Sequence, residues 1–149
     1  MRRRGGSLRP LAAAAAGLAA LLATGCRTSA TVAADLPREG WSEAATLRYT
    51  NGDTLARREL KLFLRLNETF CEDSLTLRIE LFTPDSLHAV EYHRLVTADR
   101  RTMLPTRTVV ELPYRRDAML PATGDYYFLL TPVRPVGGVE AVGMRITEP

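Results

Sequence analysis

Beyond Gly40 the chain alternates apolar and polar positions with a period of two. Leu60, Leu62, Leu64 and Leu66 are interleaved with Lys61, Phe63 and Arg65; Leu75, Leu77, Ile79 and Leu81 are interleaved with Thr76, Arg78 and Glu80. Successive side chains of an extended strand point to opposite faces, so this period predicts strands with one buried face. The two leucine rows are expected to lie side by side as neighbouring strands of one sheet. Ala45 to Thr50 forms another run, closed by the turn signal Asn51-Gly52-Asp53. Ala89 to Val96 predicts a further strand, followed by a polar loop from Thr97 to Pro105. Arg107 to Leu112 is a short run that Pro113 ends. Tyr126 to Thr131 is apolar on both faces, as a central strand is, and Val139 to Thr147 is the last run, with Val142, Met144 and Ile146 pointing one way. Seven to eight short strands, nine prolines and no amphipathic helix predict an all-β fold. The expected form is an antiparallel β-sandwich, jelly-roll or immunoglobulin-like.

The N-terminus follows a different pattern. Arg2, Arg3 and Arg4 precede an apolar run from Leu11 to Ala23, 13 residues long. That suits a secretory signal and falls short of the roughly 20 residues that span a bilayer. Leu22-Ala23-Thr24-Gly25-Cys26 ends it and reads as a lipobox, with small residues before a cysteine that becomes the acylated N-terminus. Leucine stands four rather than three before the cysteine, with Ala23 in the usual place, and cleavage after an Ala-x-Ala-like site is the alternative. The predicted organisation is a signal peptide over 1–25, a lipidated tether over 26–40, and a sandwich domain over 41–149.

Removal of the signal changes the charge. The whole chain has 20 basic and 17 acidic residues; losing Arg2, Arg3, Arg4 and Arg9 leaves 16 basic against the same 17 acidic. The basic character belongs to the targeting segment and gives no support for a nucleic-acid partner. With Cys26 lipidated, Cys71 is left without a disulfide partner; it is expected half-buried near a turn, where Glu72 and Asp73 disfavour a reactive thiolate.

Candidate chemistry is sparse. His88 and His93 lie five apart, on opposite faces of a strand, which makes no metal pair. No Gly-x-Ser-x-Gly and no phosphate-binding glycine loop occurs, and Gly137-Gly138 precedes a strand. The sequence predicts no catalytic residue, no metal site, no cofactor and no small-molecule substrate. A hydrolase would need two or more of His88, His93, Glu80 and Glu91 to converge. A sugar-binding face would draw on Trp41, Tyr49, Tyr92, Tyr114, Tyr126 and Tyr127. Of these, Trp41 and Tyr49 are expected to cover the sheet end near the tether, and Tyr126 or Tyr127 to fill the core.

Asp53-Thr54-Leu55, Asp73-Ser74-Leu75 and Asp85-Ser86-Leu87 share one pattern of aspartate, hydroxyl and leucine. It resembles the acceptor motif of the general O-glycosylation system of Bacteroidetes, with Thr54, Ser74 and Ser86 as acceptors. Asp-Ser and Asp-Thr are equally ordinary turn and strand-entry residues.

Several stretches together resemble the gliding-motility lipoprotein GldH family of Bacteroidetes. They are Leu62-Phe63-Leu64-Arg65 with Asn67, Phe70 and Ser74-Leu75; Gly124-Asp125-Tyr126-Tyr127-Phe128; Arg134; and Gly138-Val139-Glu140-Ala141-Val142-Gly143-Met144-Arg145-Ile146. The resemblance implies a non-enzymatic outer-membrane lipoprotein, a component of the gliding or type IX secretion machinery with envelope-protein partners. No acidic cluster follows Cys26, which favours the periplasmic face of the outer membrane over the cell surface. A glycan- or peptide-binding lipoprotein is the rival reading.

Overall fold

The computed structural model describes residues 28–98 and 107–148. Cys26, the signal segment and most of the polar loop after Thr97 lie outside the described residues. The described chain forms eight strands: β1 (Ser29–Asp35), β2 (Ala45–Asn51), β3 (Arg57–Asn67), β4 (Ser74–Phe82), β5 (His88–Val96), β6 (Arg107–Met119), β7 (Gly124–Pro132) and β8 (Val139–Thr147). They make two four-stranded sheets, β1-β8-β3-β6 and β2-β7-β4-β5, with every adjacent pair antiparallel.

The pairing is nested: β1 with β8, β2 with β7, β3 with β6, and β4 with β5. The chain is thus one long folded hairpin. Each connection except the β4–β5 turn crosses from one sheet to the other. This is the jelly-roll order, and it decides between the two sandwich forms that the strand pattern left open.

The leucine rows do not lie side by side. Strand β3 belongs to one sheet and β4 to the other, so Leu60, Leu62, Leu64 and Leu66 face Leu75, Leu77 and Ile79 across a shared core. Period-two patterning assigns a face, not a neighbour, and both arrangements produce the same rows. Val142, Met144 and Ile146 of β8 complete the first sheet's inner face; Leu47, Tyr126, Phe128 and Leu130 do the same for the second. Tyr126, not Tyr127, fills the core, and Trp41 is buried with its indole N–H donating to the Glu43 carbonyl at 2.8 Å.

Two boundaries differ from the sequence expectation. Ser29 to Asp35, within the expected tether, pairs along its whole length with β8, from Ser29 opposite Thr147 to Asp35 opposite Ala141. Its inward positions are Ala30, Val32 and Ala34, too small to show as an apolar run. The folded unit therefore begins well before Trp41. Strand β6 runs through Pro113 to Met119, because β6 is an edge strand and proline's missing N–H breaks no ladder on that side. Register shifts opposite Leu60 and a positive φ of 54° at Asp117 mark a bulge just beyond. Cys71 is exposed rather than half-buried.

Candidate functional site

The four chemically interesting groups, Glu80, His88, Glu91 and His93, separate into two pairs. Glu80 and His88 stand on the outer face of the second sheet, with His88 Nε2 3.1 Å from Glu80 Oε2. Glu91 and His93 have the opposite parity on β5 and turn toward β6. There the Tyr114 hydroxyl and the Arg115 guanidinium both donate to Glu91, and His93 meets the Tyr114 ring edge-on at 5.4 Å. Burial, reinforced by the hydrogen bond to Glu91, holds the Tyr114 hydroxyl well above the ordinary tyrosine range. This cluster closes the gap between the β5 and β6 edges. Glu80, His88, Glu91 and His93 thus do not converge on one cleft, and among the described residues no group of three or more His, Cys, Asp or Glu is placed to hold a metal.

The outer face of β2-β7-β4-β5 has a more pointed organisation. Strand register aligns Arg48 of β2 with Tyr127 of β7, Tyr127 with Phe82 of β4, and Phe82 with His88 of β5. All four residues are exposed, on the solvent parity of their strands. With adjacent strands roughly 4.8 Å apart, the row extends about 14 Å across the sheet. Phe82 and His88 stack with ring centroids 4.3 Å apart and planes 6° from parallel, forming one flat surface. Two residues along, Leu129, Glu80 and Val90 make the next row, and Tyr92, 66% exposed, stands beyond Val90 on β5.

Charged groups hold this surface in place. Asp125 accepts from Thr50 at 2.6 Å and from Arg48 at 2.7 Å, at the start of β7 beside the row. Those two hydrogen bonds, Thr50's first, hold the Asp125 carboxyl below the usual range, and the hydrogen bond to Asp125, then its charge, raises the Arg48 guanidinium in turn. Glu80 accepts from Arg78 on one side and contacts His88 on the other. The aromatic row is thus flanked on each side by a carboxylate that is already engaged. Groups fixed in this way orient a ligand without having to be reordered when it binds.

A polar groove of about 670 Å³ lies elsewhere, beside Asp35, Arg38, Arg65, Asn67 and Glu140 on the other sheet. Its charges neutralise one another: Arg65 bonds Asp35 at 3.0 Å and lies 3.4 Å from Glu140. It offers no aromatic surface.

The three candidate acceptor hydroxyls occupy different settings. Thr54 lies in the β2–β3 loop, where Asp53 caps the N–H groups of Leu55 and Ala56 at 2.8 and 3.1 Å. These two bonds, Leu55's first, lower the Asp53 carboxyl. Ser74 opens β4 and accepts from Arg94 at 3.3 Å. Ser86 is exposed at the tip of the β4–β5 turn with φ at 66°.

Phe82 and Arg48 were absent from the sequence-derived aromatic set, and Tyr127 was expected in the core as an alternative to Tyr126. The available signal was parity. On β4 the odd positions 75 to 81 are apolar, so the even-numbered Phe82 falls with Thr76, Arg78 and Glu80 on the solvent side.

No protein-family model matches the sequence, and no curated protein matches it. Among solved structures, the crystal structure of a carbohydrate-binding module specific for non-crystalline cellulose is similar at 11% identity, over 75% of this chain and 69% of that chain, with a TM-score of 0.42.

Proposed function

We propose that this chain is a non-enzymatic, lipid-anchored envelope protein that binds a glycan chain on the outer face of β2-β7-β4-β5. The observation that carries the reading is the cross-strand row Arg48–Tyr127–Phe82–His88. Pyranose rings present a face of C–H groups that packs on aromatic rings, while their hydroxyls bond to charged groups at the rim. Here two exposed aromatics and a stacked imidazole supply the apolar platform. Arg48, Asp125 and Glu80 supply rim partners. The face is open, without walls, so it suits the interior of an extended chain better than a single enclosed sugar.

Affinity electrophoresis through gels containing hydroxyethyl cellulose, xylan, mannan or peptidoglycan fragments tests this. The wild-type protein is retarded by at least one, and Tyr127→Ala or Phe82→Ala weakens that binding about tenfold, the effect of losing one aromatic contact of about 1.4 kcal/mol. Retardation by none of them, or by one but unchanged in both variants, contradicts the reading.

A second reading, membership of the gliding or secretion machinery at the periplasmic face of the outer membrane, draws on the resemblance and on the β5 edge. Val90, Tyr92 and Val96 are exposed on the solvent face of β5, a surface suited to an envelope-protein partner. The intact mass of the native mature protein tests the three candidate O-glycosylation sites, Thr54, Ser74 and Ser86.

A further inference from the structure

The strand directions place each described connection between strands at one of two ends. One end gathers the start of β1, the end of β8, the β2–β3 loop, the β4–β5 turn and the β6–β7 loop. Cross-links tie these pieces into one surface. The Glu148 N–H donates to the Thr28 carbonyl at 3.1 Å, and the buried Arg58 guanidinium lies 3.5 Å from Glu148 and donates to the Asp53 carbonyl at 2.9 Å. The buried Asn51 amide donates to the Leu120 and Ala122 carbonyls at 2.9 Å each, and Gly124 packs against Pro84. Three large apolar side chains stand out from this end: Leu55, 80% exposed, Leu87, 62%, and Met119, 45%. Each sits on a different connection or strand end, at positions where polar turn residues are usual.

The chain order reaches Thr28, two residues past Cys26. Three residues of extended chain span at most about 10 Å. If Cys26 carries acyl chains, they emerge beside this same end, with no tether long enough to lift it from the bilayer. We infer that this end docks on the membrane surface, with Leu55, Leu87 and Met119 entering the interface beside the acylated N-terminus. The acidic side chains around them are internally engaged: Asp117 with Arg57 at 2.7 Å, Asp53 with two backbone N–H groups, Asp85 with the Thr83 hydroxyl. The occupant is therefore the apolar and headgroup region of a lipid bilayer, rather than a charged partner. The acyl chains would hold the protein on the bilayer, and the apolar tips on the same surface fix which end faces it.

The inference rests on the lipoprotein reading of Cys26, and one experiment separates the two. Mature protein is purified from membranes, its mass is measured, and it is reconstituted in phosphatidylcholine vesicles containing a nitroxide lipid. An environment-sensitive fluorophore is placed at Cys71, at the opposite end, or at Leu55→Cys or Leu87→Cys in a Cys71→Ser background. An acylated mass, with blue-shifted and quenched emission at 55 and 87 and neither at 71, is the expected result. An acylated mass with the same emission at all three positions overturns the docking alone. An unacylated mass overturns the anchor, and the docking with it.

Discussion

At the scale of single residues, two glycines at and just before β8 have structural work. Gly143 on β8 lies beneath the Phe63 ring; a Cβ there would come within 2.2 Å of Phe63 Cζ and 2.6 Å of the Val32 carbonyl oxygen. Gly138 has φ of 79° and sits against the Phe70 backbone, where a Cβ would come within 2.3 Å of the amide nitrogen. Gly143→Ala is expected to cost about 1–3 kcal/mol by overpacking, read as a lower urea midpoint with an unchanged slope. A change within a few tenths of a kcal/mol contradicts that account. Both glycines set how closely neighbouring backbone and side chains approach.

Tyr114 gives a residue-scale pH prediction. Its folded-state hydroxyl titrates above the unfolded value of about 10. In the window above about pH 10 the unfolded chain therefore releases a proton that the native state retains. Stability is intact below that window and falls as pH rises through it. Tyr114→Phe should be less stable at neutral pH, through loss of the bond to Glu91, and should show a shallower alkaline decline. Parallel stability profiles for the two proteins between pH 9 and 11 contradict the assignment.

At the scale of elements, β1 is the sharpest departure from what the pattern predicted. The expected sandwich started at Trp41, yet Ser29–Asp35 covers the edge of β8. A chain beginning at Trp41 should lose several degrees in Tm and aggregate, because β8 would become an exposed edge lined by Ala141, Gly143 and Arg145 on one face and apolar side chains on the other. Equal Tm for the two chains would return β1 to the status of a tether. Most other elements were legible because Leu60–Leu66 and Leu75–Leu81 alternate cleanly with charged residues. Strand β1 was not legible, because alanines carry almost no periodic signal. Pro113 misled because its effect depends on whether a strand is at an edge, which sequence periodicity does not encode. The aromatic row was hidden for a related reason: Arg48, Phe82, His88 and Tyr127 come from four strands, and only the jelly-roll register makes them neighbours.

At the scale of the molecule, the sandwich has two different outer faces and two different ends. The β1-β8-β3-β6 face bears Lys61, Arg65, Arg145 and Glu111, with Arg145 paired to Glu111 at 2.5 Å and Phe63 over Gly143. Its charges are paired and its one aromatic is spent covering backbone. The β2-β7-β4-β5 face instead leaves its aromatics open.

Residue-resolved NMR shift mapping tests glycan binding at the β2-β7-β4-β5 face. Isotope-labelled mature protein is titrated with soluble oligosaccharides from whichever polysaccharide retards it. The account predicts shifts confined to Arg48, Glu80, Phe82, His88, Asp125 and Tyr127 with their strand neighbours, lost in Tyr127→Ala. Shifts centred on Asp35, Arg65 and Glu140, or spread evenly over both sheets, would contradict it.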